Sequence, residues 1–284
     1  LGMVSGKGGD PIIQLKYCGY TDHSPQWVLG GNAILFTSER YGMRNHASWG
    51  TMEDVMIIFL NRKAYEDFKK KKEERELDKA VAKLSEESKD KKKDENKDIV
   101  VELENIEERI IRLTPSSSSL GSAALSKDGR TLYYQASYEA GMNLWKLDLE
   151  SGNPSKIGSA SGHMKWDEKF ANLYVLGRKF SKMKDGAKML EPVSVSTMME
   201  MDLAAEREYM FNHVYRQEKE RFYNEKMHGV DWEMFTAEYR KFLPHIRNNY
   251  DFAELLSEYL GELNVSHTGS GFRAPAGKNR ASTA

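Results

Sequence analysis

The chain has 284 residues, of which 39% are hydrophobic and 30% charged, enough for one large domain or two ordinary ones with true cores, plus a segment too polar to bury. Lys and Arg number 42 against 43 Asp and Glu, which excludes the basic field of a nucleic-acid binder. The single cysteine, Cys18, excludes an internal disulfide framework and any cysteine-rich zinc site, and no apolar run reaches the length that crosses a bilayer.

The first ten residues, LGMVSGKGGD, lack the apolar core of a signal peptide. A start at Leu is the one expected of an internal piece of a longer protein. Short apolar and β-branched runs then alternate with turn residues, which predicts strands. They are Trp27-Val28-Leu29, Ala33 to Thr37 after Gly30-Gly31-Asn32, and Asp54 to Leu60. Residues 69–98 interrupt them, with 22 of 30 residues charged. Leu77, Ala80, Val81 and Leu84 permit one weak amphipathic helix there, but most of the stretch cannot offset its ordering entropy by burial, so it reads as a solvated insertion between strands. Strands resume at Ile99 to Leu103 and at Arg109 to Leu113.

A clearer unit follows a Ser-rich loop. Ser122 to Leu125, a Lys127-Asp128-Gly129-Arg130 turn, the aromatic strand around Tyr133-Tyr134, and Asn143 to Leu149 before Ser151-Gly152 have the layout of a four-stranded propeller blade. The next block partly repeats it: His163 to Trp166, Asn172 to Leu176, a turn at Lys184-Asp185-Gly186, and a last strand from Val193 to Met199. Repetition at about 40 residues favours a propeller over a sandwich.

From Leu203 the apolar period becomes helical. Met210, Phe211, Val214, Tyr215, Phe222 and Tyr223 share one face of a helix running to about Lys226. Asp231 is the predicted N-cap of a second, with Trp232, Phe235, Tyr239, Phe242 and Leu243 as its stripe and Pro244 closing it. A third carries Phe252, Leu255, Leu256, Tyr259, Leu260 and Leu263 at spacings of three and four. The tail from Thr268, rich in Gly, Ala, Ser and Arg, reads as a linker.

The seven histidines (His23, His46, His163, His213, His228, His245, His267) show no HExxH or comparable spacing, so no metal site is expected. No Walker loop or GxSxG is present, and the glycines of residues 6–9 lack the strand-before, helix-after setting of a phosphate cradle. Trp27, Trp145, Trp166 and the helical aromatics read as packing residues. A histidine just past a helix C-terminus, such as His267, has a plain structural reading as a capping group.

Two motifs point further. M-H-G-V-D-W at 227–232 and L-G-E-L-N-V-S-H-T at 260–268 resemble the helical first half of the catalytic core in tricorn-type serine peptidases, relatives of the C-terminal processing peptidases. The S-P-x-W strand at 24–27, the R-Y-G-x-x-N turn at 40–45 and I-E-x-R-I-I-R-L-T-P at 106–115 are similar to the propeller that precedes that core.

The resemblance implies a mixed, multidomain fold. Residues 1–202 would form a partial β-propeller of antiparallel four-stranded blades, about four at most, with the insertion at 69–98. Residues 203–267 would form the three-helix first part of the core, and 268–284 a linker towards a PDZ-like module outside the chain. It also implies that His267 is the catalytic histidine and Ser266 the serine beside it in a Ser-His-Ser-Glu tetrad. The nucleophile, oxyanion hole and partner carboxylate match no residue here, so the chain is expected to be inactive alone. Peptides are the implied substrates, with no cofactor, no nucleic acid and no membrane partner. The parent is expected to be a homo-oligomer in the cytoplasm, or in the periplasm as some bacterial relatives are. The alternative is a noncatalytic TolB-like propeller that binds a partner, which leaves the helices and the L-G-E-L-N-V-S-H-T run unexplained.

Overall fold

The computed structural model describes residues 1–46, 50–86, 99–138 and 141–274. The chain divides into two compact units, Leu1–Val195 and Ser196–Ala284.

The first unit opens with a two-stranded pair, β1 (Gly2–Met3) and β2 (Ile13–Gln14). Sheet one follows as β3 (Asp22–Val28), β4 (Ala33–Ser38), β5 (Asp54–Phe59) and β6 (Ile110–Arg112), each strand antiparallel to the next. Every residue of β4 and β5 is buried, because both faces of this sheet are covered. Leu35, Val55, Ile57 and Phe59 pack with Ala123, Leu125, Leu132 and Tyr134 of sheet two, while the alternate residues Ile34, Phe36, Met56 and Ile58 pack with Leu15 and Ile106. That two-sided burial explains why both strands read as continuous apolar runs rather than as alternating ones.

Sheet two is β7 (Ser119–Leu125), β8 (Thr131–Ser137), β9 (Asn143–Asp148) and β10 (Pro154–Ser159), and sheet three is β11 (His163–Trp166), β12 (Asn172–Leu176), β13 (Phe180–Lys184) and β14 (Glu191–Val193). Tyr134 faces sheet one, and its neighbour Tyr133 packs with Met164, Leu173, Val175 and Met183 of sheet three. Period-two alternation thus staples three sheets face to face, the stacking of propeller blades. The turn between β7 and β8 uses Gly129 at φ +73°, with Asp128 Oδ1 accepting from Arg130 N–H at 3.0 Å.

The described residues hold three four-stranded sheets where length suggested about four blades. Sheet one alone spans residues 22–112 because the insertion lies inside it, and residues 1–21 contribute only the two-stranded pair. Three strand assignments change. Residues 99–103 form no strand, although Glu102 N–H donates to Leu60 O at 2.8 Å just beyond β5. The last strand of sheet three is Glu191–Val193, not 193–199; it pairs with β13 as an edge strand, where Pro192 is tolerated, and Met198 beyond it is wholly exposed. β13 escaped the sequence reading because two lysines mask its alternation.

One helix precedes the insertion, and a second occupies its first part, where the apolar spacing permitted one. Asn61 caps α1 (Arg62–Lys69), its side chain accepting from Ala64 N–H at 2.9 Å, and Ala64, Tyr65 and Phe68 pack onto the core between sheets one and two. α2 (Lys72–Glu86) follows, with Leu77 and Val81 exposed, so its apolar stripe is unburied as far as those residues go. The remainder, 87–98, lies outside the described residues.

The second unit contains α3 (Leu203–Arg221), α4 (Trp232–Arg240) and α5 (Asn249–Gly261), each opened by a side-chain cap: Asp202, Asp231 and Asn248. The Tyr259 ring stacks on Trp232 at 4.1 Å and on Phe211 at 5.0 Å, and its hydroxyl lies 2.6 Å from Thr236 Oγ1. α3 stops at Arg221, five residues before the expected end, because Phe222 is extended at ψ 131°. Phe222 still packs in the core, whereas Tyr223 is exposed. Pro244 lies in a short 3-10 turn after α4 instead of in the helix itself. No helix among the described residues is long and apolar enough to cross a membrane.

Candidate catalytic site

Ser266 and His267 lie on the segment that leaves α5. The carbonyls at the end of that helix are satisfied from within the chain: Leu263 N–H bonds Leu260 O at 3.2 Å and Asn264 N–H bonds Gly261 O at 2.9 Å. His267 takes no part, which disposes of its reading as a capping group. The Leu263 side chain is fully buried in the helical core and Val265 packs against it, so alternate residues anchor the segment and leave Ser266 and His267 exposed.

The M-H-G motif provides the second anchor. His228 Nδ1 donates to the Leu263 carbonyl at 3.0 Å, and its Nε2 meets the Tyr223 hydroxyl. Two motifs that are far apart in sequence are therefore joined by one hydrogen bond, and the early end of α3 is what frees Tyr223 to reach His228. Met227 and His228 hold φ of +48° and +57° to make this turn, a conformation that costs a non-glycine residue on the order of 1–2 kcal/mol. The sequence assigned His228 no role of its own; its pairing with Leu263 is one that only the M-H-G motif signalled. On the other side of the segment Tyr239 Oη donates to Glu262 Oε1 at 2.8 Å, and Thr268 Oγ1 donates to Val265 O at 3.1 Å.

On this support Ser266 Oγ lies 2.7 Å from His267 Nδ1. His267 itself has φ +67° and Asn264 φ +48°, further left-handed residues in the same short stretch. Strain of this kind persists only where surrounding contacts over-determine it, and it concentrates at functional sites. The bond to Ser266 engages Nδ1, and among the described residues Nε2 has no partner. An imidazole held through one nitrogen with the other open is the arrangement in which histidine takes or gives a proton at an external atom. Among the described residues, no carboxylate bonds either nitrogen of this ring.

Residues 203–261 match the tricorn protease C1 domain family. Among curated proteins, a tricorn protease homolog from Streptomyces coelicolor is 37% identical over 68 residues, 24% of this chain and 6% of that protein. Among solved structures, the tricorn protease matches 93% of this chain at a TM-score of 0.59 and 13% identity, over 26% of its own chain. TolB from Acinetobacter baumannii matches 66% of this chain and 35% of its own at a TM-score of 0.37 and 10% identity. The chain thus spans a small part of the tricorn relatives it matches. Residues 203–261 carry a tricorn-type C1 domain, and over most of its length the chain has a fold similar to that of the tricorn protease.

Proposed function

We propose that this chain supplies the histidine half of a serine peptidase site of the tricorn kind, acting on peptides, with His267 as general base and Ser266 as the positioning residue. The observation that carries this reading is the 2.7 Å bond between Ser266 Oγ and His267 Nδ1 on a left-handed turn. In the productive tautomer Nδ1–H donates to Ser266 Oγ, which leaves the Nε2 lone pair to accept the proton of a nucleophilic serine hydroxyl. The imidazolium then returns that proton to the departing amine. Ser266 relays the orienting contact to a partner carboxylate. In this reading the nucleophile, its oxyanion hole and that carboxylate come from outside the 284 residues, and the 284 residues alone do not turn over peptide. The chemistry calls for no cofactor.

The test uses the full-length natural protein that contains this chain. Wild type is expected to hydrolyse peptides and to be labelled by a serine-reactive fluorophosphonate. His267→Ala should lower kcat by about 10²–10⁴-fold, the range typical of a lost general base, and Ser266→Ala by less, with KM little changed in both. Unchanged turnover in His267→Ala, or no labelling of wild type, refutes the proposal.

A further inference from the structure

We propose that the first unit holds a divalent transition-metal site, of the zinc class, formed by His23, Glu39 and Glu53. The sequence offers no metal motif because the three ligands come from β3, from the residue just after β4 and from the residue just before β5, and only strand register brings them together. His23 in β3 pairs with Thr37 of β4. Glu39 is two residues beyond Thr37, so it projects to the same face as His23. The β4–β5 register, which pairs Ser38 with Asp54, continues to Glu39 opposite Glu53. Glu53 in turn forms an antiparallel bridge with Ser118, just before β7. Directly opposed residues share a face, so His23, Glu39, Glu53 and Ser118 line one surface at one end of the seam between sheets one and two. One ligand atom from each of the first three lies within 4.8 Å of the others.

The donor set has metal chemistry. One imidazole nitrogen and two carboxylates suit zinc and its first-row neighbours, whereas the all-oxygen shells of calcium and magnesium have no use for the histidine. At metal–ligand distances of about 2.0–2.1 Å, tetrahedral ligands stand roughly 3.3 Å apart. His23 Nε2 and Glu53 Oε1 are already 3.3 Å apart. Thr51 Oγ1 donates to Glu39 Oε1 at 2.7 Å and fixes that carboxylate's orientation, as outer-sphere partners of metal ligands do. A separate observation marks the same place. Ser118 is 3% exposed, and its Oγ has no hydrogen-bond partner among the described residues. A buried orphan hydroxyl costs about 1–3 kcal/mol, and it lies on the face shared with Glu53, where a metal-bound water would satisfy it. The competing occupant is Arg44, whose Nη2 stands 3.5 Å from Glu39 Oε2. Its side chain is half exposed and its guanidinium already lies over the Tyr20 ring, so it has another resting place when a cation arrives.

The test titrates Zn²⁺ by calorimetry, and Co²⁺ by visible absorption, into the 284-residue chain. One equivalent should bind with micromolar affinity and raise the melting temperature, and Co²⁺ should give the intense visible bands of a low-coordinate N/O site. His23→Ala, Glu39→Gln and Glu53→Gln should each weaken binding at least tenfold while circular dichroism stays native. Arg44→Ala, which removes only the competitor, should bind at least as tightly as wild type. Absence of saturable binding below millimolar Zn²⁺, full binding in His23→Ala, or weakened binding in Arg44→Ala overturns the proposal. If a ligand variant fails to fold, the wild-type titration and the Arg44→Ala arm decide it.

Discussion

Asp54, the first residue of β5, is 0% exposed, yet it is a carboxylate, and its surroundings allow the consequence of removing it to be worked out. Its oxygens accept from Thr114 Oγ1 at 2.6 Å, Ser117 Oγ at 2.7 Å and Arg112 Nε at 2.9 Å. Thr114 Oγ1 also accepts from Val55 N–H at 3.2 Å, so one carboxylate ties the 112–117 segment across the start of the strand. In Asp54→Ala the three donors lose their acceptor together. Arg112, one-third exposed, and the half-buried Ser117 recover water, but Thr114 is buried and does not. One orphaned buried hydroxyl costs about 1–3 kcal/mol and the lost charge-assisted bonds add to it. The total expected is about 2–4 kcal/mol, one orphaned buried hydroxyl together with the lost charge-assisted bonds. Against a domain stability of about 5–15 kcal/mol that is a large fraction, measurable as a fall in urea midpoint at unchanged slope. Arg112→Ala leaves the fully buried carboxylate with two hydroxyl donors and no cation, and should cost about 1–3 kcal/mol, less than for a fully buried pair because the guanidinium is one-third exposed. A cost below about 1 kcal/mol for Asp54→Ala would refute the claim that this carboxylate organises the segment.

Three further outcomes follow from single contacts. Gly129→Ala should lose about 1–2 kcal/mol, read as a lower melting temperature, because the turn needs φ +73° and the new Cβ would sit 2.8 Å from Leu29 Cδ2; an unchanged melting temperature would show that the turn relaxes. The Asp148 carboxyl is held below the usual carboxylate range, first by the Ser151 N–H and also by that of Glu150, against the opposing effect of burial. A depressed carboxylate stabilises the fold fully above its unfolded pKa of about 3.9 and loses that contribution as pH falls through the folded value. Acid denaturation of wild type should therefore be steeper below about pH 4 than that of Asp148→Asn, and parallel curves would count against the turn. His228→Ala should free the Leu263 carbonyl and raise amide exchange over residues 263–267 by tenfold or more with the middle of α5 unaffected; equal protection would mean that His228 does not hold the segment.

What the sequence made legible, and what it hid, divides along one physical line. Local signals were readable: the apolar runs of β4 and β5, the Asp128-Gly129 turn, the Asp231 cap, the three-and-four spacing of α5. Each is a property of a few consecutive residues. α1 was not readable, because Ala64, Tyr65 and Phe68 become a buried face only against the core between sheets one and two, and β13 and β14 hid behind lysines and a proline that only an edge position tolerates. The candidate sites follow the same division. Ser266 and His267 are neighbours in sequence, so a motif could point to them. The histidine that anchors their segment is 35 residues from the carbonyl it holds, and no spacing rule connects the two.

The His23, Glu39 and Glu53 cluster is the extreme case, since nothing joins its members except the register of β3, β4 and β5. A slip of one residue in any of these pairings would send a ligand to the opposite face. The register is held by burial of alternate residues on both faces of sheet one, from Val55, two residues beyond Glu53, inward. The apolar core thus determines the geometry of a site with which it shares no atom. A substitution that shifts the β4–β5 register, such as a charged residue at Ile57, is expected to abolish metal binding without touching a ligand, whereas an exposed change at Lys63 is expected to leave it intact. Equal Zn²⁺ affinity in the two variants would break the link between core register and cluster on which that geometry rests.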